Sequence, residues 1–81
     1  MRLDKWLKVS RLNKRRTVAN EACDNQRVSV NGRPGKASYD VREGDVLELR
    51  FGQRLLRVEV LAVSEHTGRA DAAAMYREIA D

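Results

Sequence analysis

Residues 2–23 read RLDKWLKVSRLNKRRTVANEAC, and this stretch decides the fold because its apolar spacing is that of two successive helices. Leu3, Trp6 and Leu7 follow the i, i+3, i+4 spacing of a helix buried on one side, with Ser10 one turn further on. Asn13 is the predicted N-cap of a second helix. The apolar stripe of that helix consists of Val18, Ala19, Ala22 and Cys23. We therefore predict two short amphipathic helices at the start of the domain.

Basic residues in the same stretch are mostly spaced by three. They are Arg2, Lys5, Lys8, Arg11, Lys14, Arg15 and Arg16. This spacing places them on the outer face of the first helix and at the start of the second. Three cations at a helix start oppose the helix dipole, which favours anions there. Because bound phosphates would relieve that conflict, the basic residues are candidates for phosphate contacts.

The formal net charge of +4 hides a strong asymmetry. Residues 1–36 contain ten Lys and Arg against three acidic residues, whereas residues 37–81 contain six Arg against nine acidic residues. Separated charge of this kind produces a positive field that attracts polyanions. A merely solvated charged face is the alternative that charge alone leaves open.

A small, largely antiparallel sheet is predicted after the second helix. Alternating apolar residues indicate strands over 27–30, 46–51 and 54–63. Asn31-Gly32 is a predicted turn followed by a loop over 33–38, and Gly52-Gln53 is a predicted hairpin turn. Residues 71–80 have the spacing of a short amphipathic helix, with Ala72, Met75, Tyr76 and Ile79 on one face.

The predicted fold class is α+β: two N-terminal helices packed on a small, largely antiparallel sheet, with a short C-terminal helix. At this length the whole of residues 1–81 forms a single domain. Its core motif spans 1–50, its strand hairpin 46–63 and its C-terminal helix 71–80.

The residue inventory argues against catalysis, a cofactor and a metal site. His66 is the sole histidine and falls in a polar connection, and Cys23 is the sole cysteine. A cysteine on an apolar helix stripe is typical of a small buried hydrophobe rather than of a nucleophile. The sequence has no signal peptide and no long apolar run. We therefore expect a cytoplasmic, non-enzymatic protein that binds no membrane.

Five separated elements of the chain resemble one family. They are Arg2-Leu3-Asp4-Lys5-Trp6-Leu7, then Arg11, then Lys14-Arg15-Arg16-Thr17, then Val28-Ser29-Val30-Asn31-Gly32, and Gly44-Asp45. Over about residues 1–50 they resemble the S-four domain, the RNA-binding domain first defined in ribosomal small-subunit protein four. The resemblance implies a helix–helix–sheet fold that recognises folded RNA by shape. By the pattern of that family, the RNA contacts are Arg2, Lys5, Lys8, Arg11, Lys14, Arg15 and Arg16, with Thr17 assisting.

Three further segments indicate which group of S-four proteins the chain resembles most. Lys36-Ala37-Ser38, Arg50-Phe51-Gly52-Gln53 and Ala72-Ala73-Ala74-Met75-Tyr76 are similar to the RqcP family of stand-alone S-four proteins, relatives of small heat-shock S-four proteins. This implies a protein that binds obstructed large ribosomal subunits through large-subunit rRNA and peptidyl-tRNA. We expect a monomer. The implied partner is an RqcH-like (NEMF-family) factor that adds alanine tails to stalled chains. A structural ribosomal protein, a general RNA-binding regulator and a targeting subunit of an RNA-modifying enzyme are the alternatives.

Three single residues carry further expectations. Trp6 is expected in the core, and Asp4 is expected to orient an arginine from inside the basic stretch. The S-four family usually has glycine where this chain has Gln26. Because a left-handed conformation costs a non-glycine residue about 1–2 kcal/mol, we expect the turn to shift to Asn25 and to re-aim Arg27 slightly.

Overall fold

Both predicted helices form, with their apolar faces turned inward. In the computed structural model, which describes residues 1–64 and 69–79, helix α1 spans Leu3–Val9 and helix α2 spans Arg16–Asp24. Leu3, Trp6 and Leu7 are fully buried, which confirms the i, i+3, i+4 prediction.

The start of α2 differs from the prediction. Arg15, not Asn13, is the N-cap residue, and it makes no side-chain capping hydrogen bond. Asn13 is instead buried in the connection between the helices. Ala19 and Cys23 are buried as predicted, but Val18 is 49% exposed. Each helical residue turns by about 100°, so the residue before Ala19 points away from the stripe that 19 and 23 share.

The end of α2 corrects the predicted turn. Gln26 has the left-handed conformation, with φ of 59°, whereas Asn25 has φ of −89°. The amide of Arg27 donates to the carbonyl of Ala22 at 2.8 Å, and the amide of Gln26 donates to the carbonyl of Cys23 at 3.0 Å. These two bonds form a Schellman motif, which requires positive φ at the residue after the C-cap. The hydrogen-bond pattern therefore fixes the left-handed position at Gln26.

Among the residues that the structure describes, five antiparallel strands form one sheet: β1 Val28–Val30, β2 Arg33–Pro34, β3 Val46–Phe51, β4 Arg54–Val60 and β5 Tyr76–Glu78. Their order across the sheet is β2-β1-β3-β4-β5. Asn31 and Gly32 both have positive φ, as the two-residue turn between β1 and β2 requires. Gly52 has positive φ in the turn between β3 and β4, which confirms the hairpin predicted there. The turn at Asn31-Gly32 is confirmed too, but residues 33–34 pair with β1 as strand β2, where the sequence predicted a loop.

One face of the sheet packs on the helices and forms the core. The strand residues buried there are Val28, Val30, Leu47, Leu49, Val58 and Val60. The result is a layer of helix on a layer of antiparallel sheet, which confirms the predicted α+β class. In the described ranges, no helix combines the length and the apolar character needed to cross a lipid bilayer.

The predicted helix over 71–80 is wrong in its second half. Helix α3 spans only Arg69–Ala72, a 3-10 turn spans Ala73–Met75, and the chain then extends into β5. Residues 58–60 of β4 pair with β5, which satisfies backbone groups that would otherwise form an open sheet edge. This pairing outweighs the helical spacing of the segment. Strand β4 ends at residue 60, three residues before its predicted end. His66, predicted in a polar connection, lies outside the described residues.

Residues after β4 contact the first helix through Trp6. The indole Nε1 of Trp6 donates to the carbonyl of Ala62 at 3.0 Å. The ring of Tyr76 meets that of Trp6 edge-on, with 6.4 Å between centroids, and Met75 is buried beside them in the core. The segment after β4 is thus part of the same hydrophobic core as α1.

Candidate nucleic-acid interface

Asp4, in the first turn of α1, is a buried carboxylate at the junction of the two helices. Its Oδ1 accepts a hydrogen bond of 3.2 Å from Arg2 Nε, and its Oδ2 accepts one of 3.2 Å from Asn20 Nδ2. The Nε of Arg16 lies 3.5 Å from the same Oδ2. Side chains from the chain before α1 and from two turns of α2 therefore converge on one carboxylate. Asp4 was predicted to orient one arginine, and it contacts two.

Burial alone would raise the pKa of the Asp4 carboxyl. Hydrogen bonds from Arg2, Asn20 and the Lys5 amide, together with the charge of Arg16, oppose it and hold that pKa below the ordinary value of 3.8. The group is therefore ionised at neutral pH, and it holds both guanidinium groups in place.

The two arginines on Asp4 remain available to a ligand. The side chain of Arg2 is 50% exposed and that of Arg16 is 47% exposed. A guanidinium group carries five N–H donors, so those not used by Asp4 face solvent. Fixing an arginine in advance reduces the conformational entropy that it loses when it binds a phosphate.

The other predicted contacts are spread along α1 and the connection to α2. Lys5 is partly buried, and the exposed ones are Lys8, Arg11, Lys14, Arg15 and Thr17. Over residues 1–64 and 69–79, the structure shows no acidic side chain in an ion pair with Lys8, Arg11, Lys14 or Arg15. The structure thus brings Arg2 and Arg16 together and leaves these four cations facing solvent.

Arg11 has an unusual backbone conformation. Its φ is 64°, and its amide donates to the carbonyl of Lys8 at 3.0 Å as α1 ends. A non-glycine residue in this region costs about 1–2 kcal/mol. Such strain is concentrated at functional sites, and here it accompanies a cation that projects from the end of the helix.

The start of α2 offers backbone donors beside these cations. Its first turn contains no acidic residue and its N-cap makes no side-chain bond. A groove of about 350 Å³ beside it is lined by Asp4, Arg16, Thr17, Asn20 and Glu21. Uncapped amides and positive charge at the same helix end suit a phosphate group.

Asn20 is a residue of this site that the sequence analysis missed. It lies four residues after Arg16, so both project from the same face of α2 toward Asp4. The i, i+4 spacing of Arg16 and Asn20 could have predicted that they share a face. It points to a common partner only once Asp4 is known to lie between the helices.

The described residues of this surface provide neither a reactive thiol nor a metal site. Burial, and then the charges of Asp4 and Asp24, raise the pKa of the Cys23 thiol to about 11, so the thiol is protonated at neutral pH. Among the described residues, no group of His, Cys, Asp or Glu side chains is placed to hold a metal ion. The described surface is suited to binding through charge and hydrogen bonds.

The fold and its basic face define an S4 domain. The sequence model of that family, the S-four family of RNA-binding domains, matches residues 1–47, and all of the predicted RNA contacts lie within this match.

Relatives place the chain more narrowly. It is 55% identical over 76 residues to the RQC P-site tRNA stabilizing factor of Bacillus subtilis, covering 94% of this chain and 88% of the relative. It is 52% identical over 81 residues to the protein of the same name from Streptococcus pneumoniae, covering 100% and 92%. The chain therefore belongs to the family of these factors within the S4 domain family.

A solved structure supports the fold. Heat Shock Protein 15 of Vibrio cholerae, described as trimeric, superposes with a TM-score of 0.91 at 33% identity. The match covers 99% of this chain and 82% of that one. The relation to small heat-shock S-four proteins that the sequence implied is thus confirmed.

Proposed function

We propose that this protein is an RNA-binding factor of bacterial ribosome-associated quality control. It binds obstructed large ribosomal subunits through large-subunit rRNA and peptidyl-tRNA, and it supports alanine tailing of stalled chains by an RqcH-like (NEMF-family) factor. It acts in the cytoplasm as a monomeric binding protein without catalysis. One observation supports the proposal most: two half-exposed arginines, Arg2 just before α1 and Arg16 at the start of α2, are fixed on the buried carboxylate of Asp4. The printed name of the relatives, P-site tRNA stabilizing factor, supplies the choice of RNA.

The geometry suits the phosphate backbone of a folded RNA. Fixed arginines can hold phosphate oxygens bidentately, and lysines act as point charges around them. Contacts to the backbone position a protein on RNA by shape and need no base sequence. We assign these contacts to Arg2, Lys5, Lys8, Arg11, Lys14, Arg15, Arg16 and Thr17.

Cosedimentation with purified large subunits carrying peptidyl-tRNA tests the proposal. About five phosphate contacts would reduce the affinity by two to three decades between 50 and 200 mM salt. Replacing Arg2 and Arg16 by alanine should abolish binding at 100 mM salt. That variant leaves Asp4 without its partners, so Lys8→Ala with Lys14→Ala provides a second test that does not touch the carboxylate.

The matched control is Arg57→Ala with Arg77→Ala, which removes the same charge from two arginines that pair with glutamates on the sheet. We expect it to bind nearly as the parent does. Undiminished binding of Lys8→Ala with Lys14→Ala, in a folded protein, would refute the assignment of this surface. Equal binding to empty large subunits and to those with peptidyl-tRNA would refute the role of tRNA.

A further inference from the structure

The sheet face that points away from the helices carries arginines in three rungs. A rung here is a row of residues that lie opposite one another on neighbouring strands. Arg77 lies opposite Glu59, and its Nη2 forms an ion pair with Glu59 Oε1 at 2.5 Å. Arg57 lies opposite Glu48 and pairs with it at 3.2 Å. Two of the three rungs thus neutralise each arginine with a glutamate, which is the usual arrangement for opposed residues on a sheet.

The third rung breaks this rule. The amide of Arg50 donates to the carbonyl of Arg27 at 2.8 Å, so the pairing of β1 with β3 continues one residue beyond Val28 and places the two arginines opposite each other. Residues directly opposed in antiparallel strands project to the same face. Leu55 of β4 lies opposite Arg50 and completes the rung. We call these three residues the outer arginine rung.

The outer arginine rung is exposed and unneutralised. Arg27 and Arg50 are exposed, and Leu55 is 52% exposed. Within residues 1–64 and 69–79, the structure gives neither arginine an acidic partner. Like charges directly opposed across two strands are destabilising, so the fold gains nothing from this pair. A local conflict of this kind is expected where a ligand supplies the missing charge.

We infer that the outer arginine rung is a second RNA-binding site, which holds a phosphate of the RNA backbone between Arg27 and Arg50. This inference rests on the proposed function, because it concerns another part of the same ribosomal RNA ligand. Phosphate is favoured because two adjacent guanidinium groups can share its oxygens, each through charge-assisted hydrogen bonds. Leu55 would then lie against the sugar beside that phosphate.

Salt dependence of large-subunit binding measures the contribution of the rung. For Arg27→Gln with Arg50→Gln, we expect the slope of log affinity against log salt to become shallower by about 1–2, which corresponds to one or two lost phosphate interactions. The melting temperature should stay equal or rise, because a repulsive pair is removed. The control Arg57→Gln with Arg77→Gln removes the same charge from the same face and should leave the slope unchanged.

Photocrosslinking separates RNA from protein partners. Leu55→p-benzoylphenylalanine, irradiated on large subunits, should give adducts with RNA, and Lys8→p-benzoylphenylalanine tests the helical surface in parallel. Three results would overturn the second site only. The first is RNA adducts from position 8 with none from position 55, and the second is adducts from position 55 to protein alone. The third is an equal change of slope in the two glutamine variants. Failure of both positions to reach RNA would overturn the proposed function as well.

Discussion

The side-chain amide of Asn20 donates a hydrogen bond of 3.2 Å to Oδ2 of Asp4, so a residue of α2 holds the carboxylate in the first turn of α1. Through Asp4 the bond also reaches the two arginines, Arg2 and Arg16, which share the carboxylate. The packing of one helix on the other and the orientation of the proposed RNA contacts therefore depend on the same polar cluster.

Replacement of Asn20 by alanine should lower the free energy of unfolding by about 1–2 kcal/mol, because it removes one hydrogen bond to a charged, buried group. Equilibrium urea denaturation measures this change. Glu21→Ala is the control, since Glu21 lines the same groove without a bond to Asp4 and is exposed. Equal losses of stability in the two variants would mean that truncation of either side chain in the groove has the same cost, and that the Asn20 hydrogen bond contributes nothing of its own.

Replacement of Asp4 by asparagine should destabilise the protein at neutral pH by about 2 kcal/mol, since a buried partner of two cations loses its charge. The folded-state pKa of Asp4 lies below the ordinary value of 3.8, so its charge contributes stability that is fully present above that value. This contribution is lost as the pH falls through the lowered folded-state pKa. Unfolding curves of parent and variant should therefore diverge above pH 4 and converge in stronger acid. A difference that stays constant down to pH 2 would contradict this account.

Glycine at position 26 should stabilise the protein by about 1 kcal/mol, because Gln26 has a φ of 59° that glycine adopts without strain. Asn25→Gly is the matched control, since Asn25 has a φ of −89° and glycine there only adds freedom to the unfolded chain. Thermal unfolding of both variants gives the comparison. A Gln26→Gly variant that melts below the parent would show that the glutamine side chain contributes more than its backbone costs.

Addition of a methyl group at Gly35 should destabilise the core by about 1–3 kcal/mol. A Cβ there would lie 2.8 Å from Val30 Cγ2 and 2.9 Å from Leu3 Cδ2, so neighbouring core atoms must move. The Gly35 amide also donates to the Val28 carbonyl at 2.9 Å, which limits how far the loop can retreat. Denaturation of Gly35→Ala tests this, with Ser38→Ala at an exposed loop position as the neutral control. Unchanged stability of Gly35→Ala would mean that the loop shifts freely.

The sequence predicts those parts of the fold that local spacing controls. Trp6 and Leu7 follow helical spacing, and Asn31-Gly32 has the conformational preferences that a tight turn needs, so helix α1 and that turn are confirmed. Tyr76 is different, because its segment has helical spacing but pairs with the edge of β4, and the need of that edge for a partner cannot be seen locally. The left-handed turn at Gln26 was missed for a related reason. Residue type favours Asn25 for the left-handed conformation, but the hydrogen bonds that end α2 require it at the next residue.

The candidate site, like the fold, has some features that the sequence predicts and others that depend on tertiary packing. Charge spacing predicts which cations face outward, and it pointed to Asp4 as a partner for an arginine. It cannot predict that Arg16 and Asn20 of the other helix reach the same carboxylate, because that depends on how the helices cross. The opposition of Arg27 and Arg50 likewise depends on strand register, which pairs residues more than twenty positions apart.

The position of Trp6 provides a label-free signal for every variant considered above. It is the sole tryptophan of the chain, it is fully buried, and its indole N–H is bonded to the Ala62 carbonyl. Its fluorescence emission should shift to longer wavelength only when α1 separates from the C-terminal segment. Lys8, a proposed RNA contact of α1, is two residues from Trp6 and exposed, so it lies on the opposite side of the helix from the indole. Emission spectra recorded during an RNA titration can therefore distinguish a variant that has lost its ligand from one that has lost its fold.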